Sequence, residues 1–398
     1  MIGDYRDCVD LDFNPALNGA PNLRGIYVPT TFLTTGMEEI ILRKLSCTSP
    51  LARLLTICGI AAISVLGSAQ TYVFTDLGAS VSGSSTATDI SPSGIVAGIT
   101  AAGACTWTPN GSGGMTFRSL GHAPKATTWT AFGVNDAGEV VGLQDSLTYP
   151  NIFANGYLWT GSSWLGLTKL SVQSEAYGIN ATGSVVGLAS SRNYEAVLWK
   201  GGKQYTIPSG TMAFGINDYG QVVGQGGPTT APVPFIWTPS KQNGTSGTTR
   251  QLPLSGGRAL GLDIFGDVVG DDENGVAYYW ANGASSVVSL GTLGGTYSSA
   301  GKINVHGQVV GTAGLARANG HTYTHGFIWD SVNGMRDLSS LDILGVPVGW
   351  VFLCGGLGGM IAHNVASLSI NDAGQICGTI FVYGGPQVVT HAFLLTPQ

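Results

Sequence analysis

The sequence predicts an all-β protein, a seven-bladed β-propeller of four-stranded blades. Three observations support this prediction: a nonapeptide occurs seven times, a tryptophan occupies the same place in six of the units, and the start of the chain can complete its unfinished last unit. Apolar residues make up 43% of the chain, charged residues 10%, and 61 of the 398 residues are glycine. This composition is typical of a globular chain that is too rich in glycine for long helices.

The nonapeptide reads I-N-D-Y-G-Q-V-V-G at residues 216–224. Its short polar second residue can hydrogen-bond the backbone ahead and start a turn, and the glycine at its fifth position supplies the positive φ of a tight hairpin loop. The Val-Val pair favours a strand, which we expect the second glycine to end. We interpret each copy as a β-hairpin corner whose Asn, Asp and Gly residues are architectural. The copies span residues 90–98, 134–142, 179–187, 216–224, 262–270, 303–311 and 370–378.

Each unit contains further recurring features around this corner. A small residue lies three positions before the corner, which indicates a crowded place: Ala87, Ala131, Ala176, Ala213, Ala259, Ala300 and Ser367. A second strand after the corner ends in tryptophan, replaced by leucine in the last unit: Trp107, Trp159, Trp199, Trp237, Trp280, Trp329 and Leu395. Burying one such ring between sheets contributes roughly 2 to 3 kcal/mol, so we interpret these tryptophans as core rather than as platforms for sugars or bases.

A short closing strand follows in each of several units, at residues 115–120, 163–170, 250–254, 287–293 and 335–338. Four short strands per unit, repeated every 40 residues or so, are typical of propeller blades. The last unit stops after residues 391–395 without a fourth strand, whereas residues 72–77 resemble an orphan fourth strand before the first unit. Pairing the two completes the seventh blade, closes the ring and removes two exposed sheet edges.

The chain before Gln70 differs from the repeats. Residues 1–36 show no sustained period, which indicates a disordered arm or a start assigned too early. Residues 37–69 have the pattern of a secretory signal peptide: basic residues, an apolar run at 54–66 and small residues ending at Ala69. A membrane anchor or buried helix is the alternative, but an anchor needs about 20 apolar residues. We therefore expect an extracellular or periplasmic monomer that starts near Gln70 and keeps no stable membrane anchor.

Charge and motifs exclude several classes of function. The formal net charge is -6 without a basic run, so we expect no nucleic-acid partner. The sequence contains no nucleophile elbow, zinc-protease helix or P-loop, and we predict no catalytic residue, metal or cofactor. His321 and His325 have a spacing that some metal ligands use, and residues 271–275 could hold calcium, but a strand approach and a solvated turn explain these segments better. Cys105, Cys354 and Cys377 permit a Cys354–Cys377 bridge or buried free thiols.

Several elements together resemble a known family. They are N-D-A-G-Q-I at 371–376, H-G-F-I-W at 325–329, H-A-F at 391–393 and L-G-T-L-G-G at 290–295. In this combination and order the chain resembles the bacterial HAF-repeat proteins, and the likeness covers nearly all of residues 70–398. The resemblance implies an exported β-repeat protein and carries no activity with it. The family's His-Ala-Phe is complete at 391–393, and its first position varies in the other units, which argues against a catalytic histidine.

The two faces of a propeller differ in what they can do. Turns between first and second strands and between third and fourth strands lie on one face, here called the corner face. Loops between second and third strands and the crossovers between blades lie on the other, here called the variable face. Because binding residues usually sit on loops carried by a rigid frame, we expect ligand contacts on the variable face. The candidates are Trp129, Tyr149, Asp271, Asp272, Glu273, His321, Trp350 and His363.

The sequence supports two functional hypotheses. The first is a secreted noncatalytic propeller that acts as a binding or structural module for an unknown extracellular ligand, a carbohydrate or a protein. The second is a propeller enzyme, a lyase or glycoside hydrolase that acts on polysaccharide with acids and histidines around the channel mouth. Convergence of Asp145, the acidic run 271–273, His321 or His363 across the channel would favour the enzyme.

Overall fold

The computed structural model describes residues 70–81, 83–121, 128–146, 153–167, 173–190, 193–228, 230–316, 324–348, 350–352, 368–382 and 389–398. The predicted arm and signal peptide, residues 1–69, lie outside this range, as does Cys354. The described residues form seven β-sheets and two single turns of 3-10 helix, Gly78–Ser80 and Leu338–Ser340. The prediction of an all-β, seven-bladed propeller is confirmed.

The first described strand is β1 (Tyr72–Asp76), and six four-stranded blades follow it, in each of which every strand pairs antiparallel with the next. Blade 1 contains β2 (Ser85–Ile90), β3 (Val96–Thr100), β4 (Gly103–Pro109) and β5 (Met115–Gly121); blade 2 contains β6 (Thr128–Val134), β7 (Val140–Ser146), β8 (Phe153–Trp159) and β9 (Trp164–Gly166); blade 3 contains β10 (Gln173–Ile179), β11 (Val185–Ser190), β12 (Tyr194–Lys200) and β13 (Lys203–Thr206). Blade 4 contains β14 (Gly210–Ile216), β15 (Val222–Gly226), β16 (Val233–Pro239) and β17 (Gly247–Gln251); blade 5 contains β18 (Gly257–Leu262), β19 (Val268–Asp272), β20 (Ala277–Trp280) and β21 (Val288–Gly291); blade 6 contains β22 (Gly294–Ile303), β23 (Val309–Leu315), β24 (Thr324–Asp330) and β25 (Gly334–Asp337).

Blade 7 joins the two ends of the described chain. Its strands are β26 (Ile343–Leu344), β27 (Trp350–Val351), β28 (Leu368–Ile370), β29 (Ile376–Val382) and β30 (Val389–Pro397), with β1 as the fourth strand of the blade. β1 runs antiparallel to β30 from the pair Tyr72 and Pro397 to the pair Asp76 and Phe393. The predicted ring closure by an N-terminal strand is therefore confirmed. β26 adds a short parallel strand outside β1, and β27 extends the inner edge of the blade beside β29.

The second glycine of the corner has a different role from the predicted one. It lies inside the second strand, opposite the small residue of the first strand, as in the pair Ala131 and Gly142. The first strand bulges just after this pair, and a Cβ on Gly142 would lie 1.9 Å from the carbonyl oxygen of Thr130. The glycine permits close backbone contact at the bulge, and the strand continues beyond it. The same register shift occurs after Ala87, Ala176, Ala213, Ala259 and Ala300.

The core consists of apolar layers between neighbouring blades. Trp237 of blade 4, for example, packs with Val186 and Leu198 of blade 3. The tryptophans at 107, 159, 199, 237 and 280 and Leu395 are all less than 9% exposed, whereas Trp329 is half-buried and stacks on Tyr279 at 6.1 Å. Their predicted role as a shared core is confirmed. The predicted closing strands also exist, with shorter bounds in blades 2 and 5.

Two of the cysteines are part of this core. Cys105 and Cys377 are buried free thiols in the layer between blades 7 and 1. Burial raises the pKa of both thiols above the usual range, so they stay protonated at neutral pH. The alternative of buried free thiols is confirmed for these two residues.

Candidate functional site

The corner asparagines of blades 2, 3, 4, 6 and 7 link each of these blades to the next. In blade 4, Oδ1 of Asn217 accepts hydrogen bonds from the backbone N–H groups of Tyr219 (3.1 Å) and Gln221 (2.9 Å), which closes its own turn. The Nδ2 group of the same side chain donates to the carbonyl oxygen of Asp263 in blade 5 at 2.8 Å. Equivalent amide bonds leave Asn135, Asn180, Asn304 and Asn371 toward the following blade at 3.0 to 3.2 Å.

Three corner aspartates add bonds from the following blade, at the junctions of blades 1 and 2, 3 and 4, and 6 and 7. Asp136 accepts a hydrogen bond from the backbone N–H of Ser93 in the preceding blade at 2.8 Å, and Asp218 accepts one from Ala181 at 2.8 Å. Asp372 accepts the corresponding bond from Val305 at 3.1 Å. The architectural interpretation of the corner residues is confirmed, and the bonds extend it from a local turn to the contact between blades.

The assignment of turns to faces also holds in blade 4. Asn243 lies in the turn between β16 and β17, and its Nδ2 group donates to the carbonyl oxygen of Asp218 at 2.8 Å. Its backbone N–H donates to the carbonyl oxygen of Tyr219 at 2.9 Å. The turn between third and fourth strands therefore lies beside the turn between first and second strands, as the definition of the corner face requires.

The predicted acidic loop of blade 5 is a hydrogen-bonded hairpin turn. Asp272 accepts bonds from the N–H groups of Asn274 and Val276, both at 2.9 Å. Asp271 is 5% exposed, pairs with Arg258, and accepts a bond from Ser299 of blade 6 at 2.8 Å. Glu273 is exposed and accepts a bond from Ser255 at 2.7 Å, which lowers the pKa of its carboxyl group. The three carboxylates thus have three separate sets of partners, and Glu273 is the one that faces solvent.

Trp350 lies beside β29 at the inner edge of blade 7. Its ring meets the ring of His391 edge-on at 5.0 Å and that of Phe74 at 5.8 Å. Nδ1 of His391 lies 3.0 Å from the carboxylate of Asp76, and since a carboxylate accepts, Nδ1 carries the proton. The half-buried Trp350 lies at the edge of the apolar layer between blades 6 and 7 and stays a candidate for contact with a ligand.

The histidine of the His-Ala-Phe element has a recurrent partner. In blade 6, Nδ1 of His325 lies 2.7 Å from Asp337, which is the equivalent of Asp76 in blade 7. Ser339 also approaches Nδ1, at 3.4 Å, so both neighbours share one ring nitrogen and do not form a serine–histidine–aspartate relay. The sequence held a signal for this pair, because each histidine occurs in a blade whose fourth strand has Asp before Leu.

The remaining predicted site residues are not brought together by the described part of the chain. Tyr149, His321 and His363 lie outside the described residues, and Trp129 belongs to β6. The convergence of Asp145, His321 and His363 across the channel stays a prediction. Among the side chains that are described, no cluster of three or more His, Cys, Asp or Glu residues could hold a metal ion.

The axis of the propeller carries a polar cluster that the repeat pattern did not reveal. At the position before the corner, blades 2 to 5 have glycine, at 133, 178, 215 and 261, each packed close to the next blade. Blades 1, 6 and 7 have Asp89, Lys302 and Ser369 there. Asp89 is 5% exposed and lies 3.1 Å from Nζ of Lys302 and 2.7 Å from Oγ of Ser369. The three blades at the ring closure therefore meet through a polar contact.

The bulged residues of three blades form an aromatic wall beside that cluster. Rings of Phe132 and Tyr177 lie 5.3 Å apart, and Tyr177 and Phe214 lie 5.5 Å apart. The hydroxyl of Tyr177 donates to Glu175, and its pKa is raised by burial and by that carboxylate. The signal in the sequence was the recurring aromatic residue between the small residue and the glycine before each corner, at 132, 177 and 214.

An open depression of about 390 Å³ lies on the corner face between blades 6 and 7. It is lined by Gln70, His306, Gln308, Asp330, Ala373 and Gly374. Nε2 of His306 lies 3.1 Å from the carbonyl oxygen of Asp372, and Asp330 is held by Arg336 at 2.8 Å. The first described residue of the chain therefore lies on the corner face.

Comparison with known proteins gives no family for this chain, and the structural likenesses it finds are distant. No protein-family model and no curated protein matches the sequence. The solved structures that match include a TolB from Acinetobacter baumannii at 13% identity, with 65% of this chain and 63% of that chain covered and a TM-score of 0.40. An oligogalacturonate lyase from Vibrio parahaemolyticus matches at 11% identity over 83% of this chain and 98% of that chain, with a TM-score of 0.46. A gluconolactonase from Xanthomonas campestris matches at 10% identity over 71% of this chain and 99% of that chain, with a TM-score of 0.35.

These likenesses concern the fold alone, and this chain spans less than two thirds of the matched TolB structure. The part of the chain that the structure describes forms no helix with the length and apolarity that a membrane crossing demands.

Proposed function

We propose that this chain is an exported, noncatalytic β-propeller, similar to the HAF-repeat proteins, that binds an extracellular glycan or surface protein through its variable face. The observation that supports the proposal is the hydrogen-bond ring of the corner face. Polar residues that recur in the units are engaged there in contacts between blades, as Asn217 and Asp218 are. The loops between second and third strands differ between units in length and sequence, and divergent loops on a rigid frame suit a binding module.

The exposed acid of blade 5 gives this face a defined chemistry. Glu273 is held by Ser255 and its pKa is lowered, so the carboxylate is ionised at neutral pH. An ionised carboxylate accepts strong hydrogen bonds from saccharide hydroxyls or from basic side chains of a protein. It opposes a polyanionic ligand. A neutral glycan or a basic protein segment is therefore the ligand class we expect.

A loop exchange tests the proposal without disturbing the frame. Residues 147–152 and 317–323, which contain Tyr149 and His321, would each be replaced by the four-residue turn of blade 5, Asp272–Gly275, which closes a complete hairpin. The chain 70–398 and the exchange variant would be compared on a glycan array and in a protein-capture assay, with a hydrolysis readout on the same ligands. We expect binding by the parent, at least tenfold weaker binding by the variant, and no turnover.

The matched control is Val288→Ser, which alters an exposed residue of an outer strand away from both loops. Turnover of any ligand would contradict the noncatalytic proposal, and unchanged binding by the loop variant would contradict the variable face. Export has a separate test, because Edman sequencing of the secreted product should begin at Gln70.

A further inference from the structure

Three consecutive blades carry an aromatic ring at the tip of the corner. The residue before the fixed glycine is Tyr219 in blade 4, Phe265 in blade 5 and His306 in blade 6. The side chains of Tyr219 and Phe265 are 49% and 54% exposed, and His306 is exposed as well. The other four units have small residues there: Ser93, Ala137, Thr182 and Ala373. The rings of Tyr219 and Phe265 are left in solvent where turn geometry gives no reason for them, and the exposed His306 ring also approaches the carbonyl oxygen of Asp372.

Hydrogen bonds fix the backbone at the three positions that carry these rings. Each ring-bearing residue donates its N–H to the corner side chain, Tyr219 to Asn217 at 3.1 Å, Phe265 to Asp263 at 2.9 Å and His306 to Asn304 at 3.1 Å. The bond from Asn217 to the carbonyl oxygen of Asp263 also joins the blade 4 corner to the blade 5 corner. A backbone that is already fixed has no ordering cost of its own when a ligand binds the rings.

Amide groups lie beside two of the ring-bearing turns. Asn243 packs against the glycine that follows Tyr219, and Asn282 packs against the glycine that follows Phe265. Asn282 donates to the carbonyl oxygen of Phe265 at 2.9 Å, and Asp218 is exposed beside Tyr219. The core of a protein–protein interface is instead contiguous and depleted of charge. An exposed ring with an amide group beside it suits a ligand that combines apolar faces with hydroxyl groups.

The regular spacing and the charge restrict that ligand further. Rings at one register in successive blades match a polymer whose own units repeat. Charges of both signs flank the rings, since Asp218 is exposed beside Tyr219 while Lys200 and Arg250 bond the turn residues Asn243 and Asn282, and this balance suits a neutral polymer. We propose that Tyr219, Phe265 and His306 form a second binding site, on the corner face, that takes a neutral polysaccharide chain lying across blades 4 to 6. This site goes beyond the variable-face function and stands apart from it.

Affinity measurements on ring variants test the site. Chain 70–398 would be titrated by calorimetry with laminarin, cellohexaose and chitohexaose as neutral probes and polygalacturonate as the anionic one. We expect at least one neutral probe to bind and polygalacturonate not to. Tyr219→Ala and Phe265→Ala should each weaken binding about 3- to 10-fold, as the loss of one aromatic contact does. Tyr219→Phe should retain affinity because it keeps the ring.

Controls separate this site from the variable face. Tyr194→Ala removes an aromatic side chain of similar exposure, 41%, from β12, and it should leave affinity unchanged. The loop exchange variant should also bind the neutral probe as the parent does. Failure of every neutral probe to bind, or loss of affinity in the Tyr194 or loop variants without an effect of Tyr219→Ala and Phe265→Ala, would overturn the proposal while leaving the variable-face hypothesis standing. His306→Tyr should strengthen binding, since it supplies a larger ring at the third position.

Discussion

The two glycines that recur in every corner serve different physical purposes. Gly138 has a φ of +71°, and a Cβ there would meet open space, so its backbone conformation is what requires glycine. Gly142 has no such φ, but a Cβ there would overlap the carbonyl oxygen of Thr130 at 1.9 Å. One glycine supplies conformational freedom and the other supplies space. Periodicity in the sequence shows both positions equally and cannot separate the two causes.

Substitutions at these two positions should separate the causes. Gly138→Ala should lower the free energy of unfolding by about 1 to 2 kcal/mol, and Gly138→Asn by less, because asparagine tolerates the left-handed region. Gly142→Ala and Gly142→Asn should both lower the free energy of unfolding by more than about 3 kcal/mol, since the Cβ of either residue would meet the backbone. Urea unfolding of the four variants gives the comparison. Rescue of position 142 by asparagine would contradict the steric explanation.

The corner asparagine should be sensitive to loss of its amide. Asn217→Asp keeps the turn but places a carboxylate oxygen against the carbonyl oxygen of Asp263, where Nδ2 now donates. We expect a loss of about 1 to 3 kcal/mol in the free energy of unfolding. Asp272→Asn is the matched control, because Asp272 accepts turn hydrogen bonds of the same kind within blade 5. Thermal unfolding should show that Asp272→Asn changes the free energy of unfolding by about 0.5 kcal/mol or less. Equal effects of the two changes would argue against a contact between blades.

The hairpin corner, as an element, also decides how each pair of blades is joined. Blade 1 has Ser91 where most blades have asparagine, so it has no side-chain amide to offer blade 2. At that junction Asp136 of blade 2 accepts from the backbone N–H of Ser93 at 2.8 Å, and the buried Asp89 of blade 1 accepts from the N–H of Val134 at 3.1 Å. Desolvation raises the pKa of Asp136, but hydrogen bonds from Ser91 and Ser93 outweigh it and the net shift is downward. One junction of the ring therefore depends on an ionised carboxylate.

This junction should weaken in acid. The folded pKa of Asp136 is below the usual value of 3.8, so its contribution is complete above about pH 4 and is lost as pH falls through the folded pKa. Because the side chain is largely solvent-exposed, the contribution should be less than about 1 kcal/mol. Asp136→Asn should reduce the fall in melting temperature between pH 5 and pH 2.5 relative to the parent. A parallel fall in both proteins would contradict the assignment.

Much of each blade could be predicted from its sequence. The corners, the tryptophan layers and the small residues before the corner all follow from local patterning, because hairpin chemistry and burial act on the residues that carry the pattern.

The candidate site was harder to predict. Trp350 was identified by sequence, but its contact with His391 depends on a crossover that folds back onto blade 7. The exposed rings of Tyr219 and Phe265 lie inside a motif whose pattern indicates scaffold alone, so no ligand surface could be predicted there from the pattern.

For the molecule as a whole, stability depends on blade 7, where the ends of the described chain meet. β1 contributes the pairs from Tyr72 with Pro397 to Asp76 with Phe393, and Phe74 stacks on Phe393 at 6.2 Å. The same layer contains Val310 and Ile328 of blade 6, so the strand closes the core between blades as well as the sheet. The contact of Asp89 with Lys302 adds a link across the three blades at this closure.

Removing the closing strand should open the ring. Deletion of residues 70–80 takes Tyr72 and Phe74 out of the core. We expect the free energy of unfolding to fall by more than about 5 kcal/mol, or unfolding to lose its cooperativity. In a rearranged chain, residues 71–80 would follow Gln398 through an Asn-Gly turn, which rebuilds blade 7 as a hairpin like the other blades. Calorimetry should show that this chain regains most of the lost stability. A deletion variant that melts like the parent would contradict the role of closure.

The sequence by itself determined the repeat, the four-strand unit, the number of blades and the strand that completes the ring, because each is written in local patterns of turn residues, β-branched pairs and buried aromatics. The tertiary structure decided which atoms join one blade to the next. It shows that Asn217 reaches the backbone of the following blade, that Asp89 meets Lys302 at the axis, and that Tyr219 and Phe265 point into solvent. These contacts join residues distant in the chain, and their geometry is set by how seven sheets pack around one axis, which a local pattern does not encode.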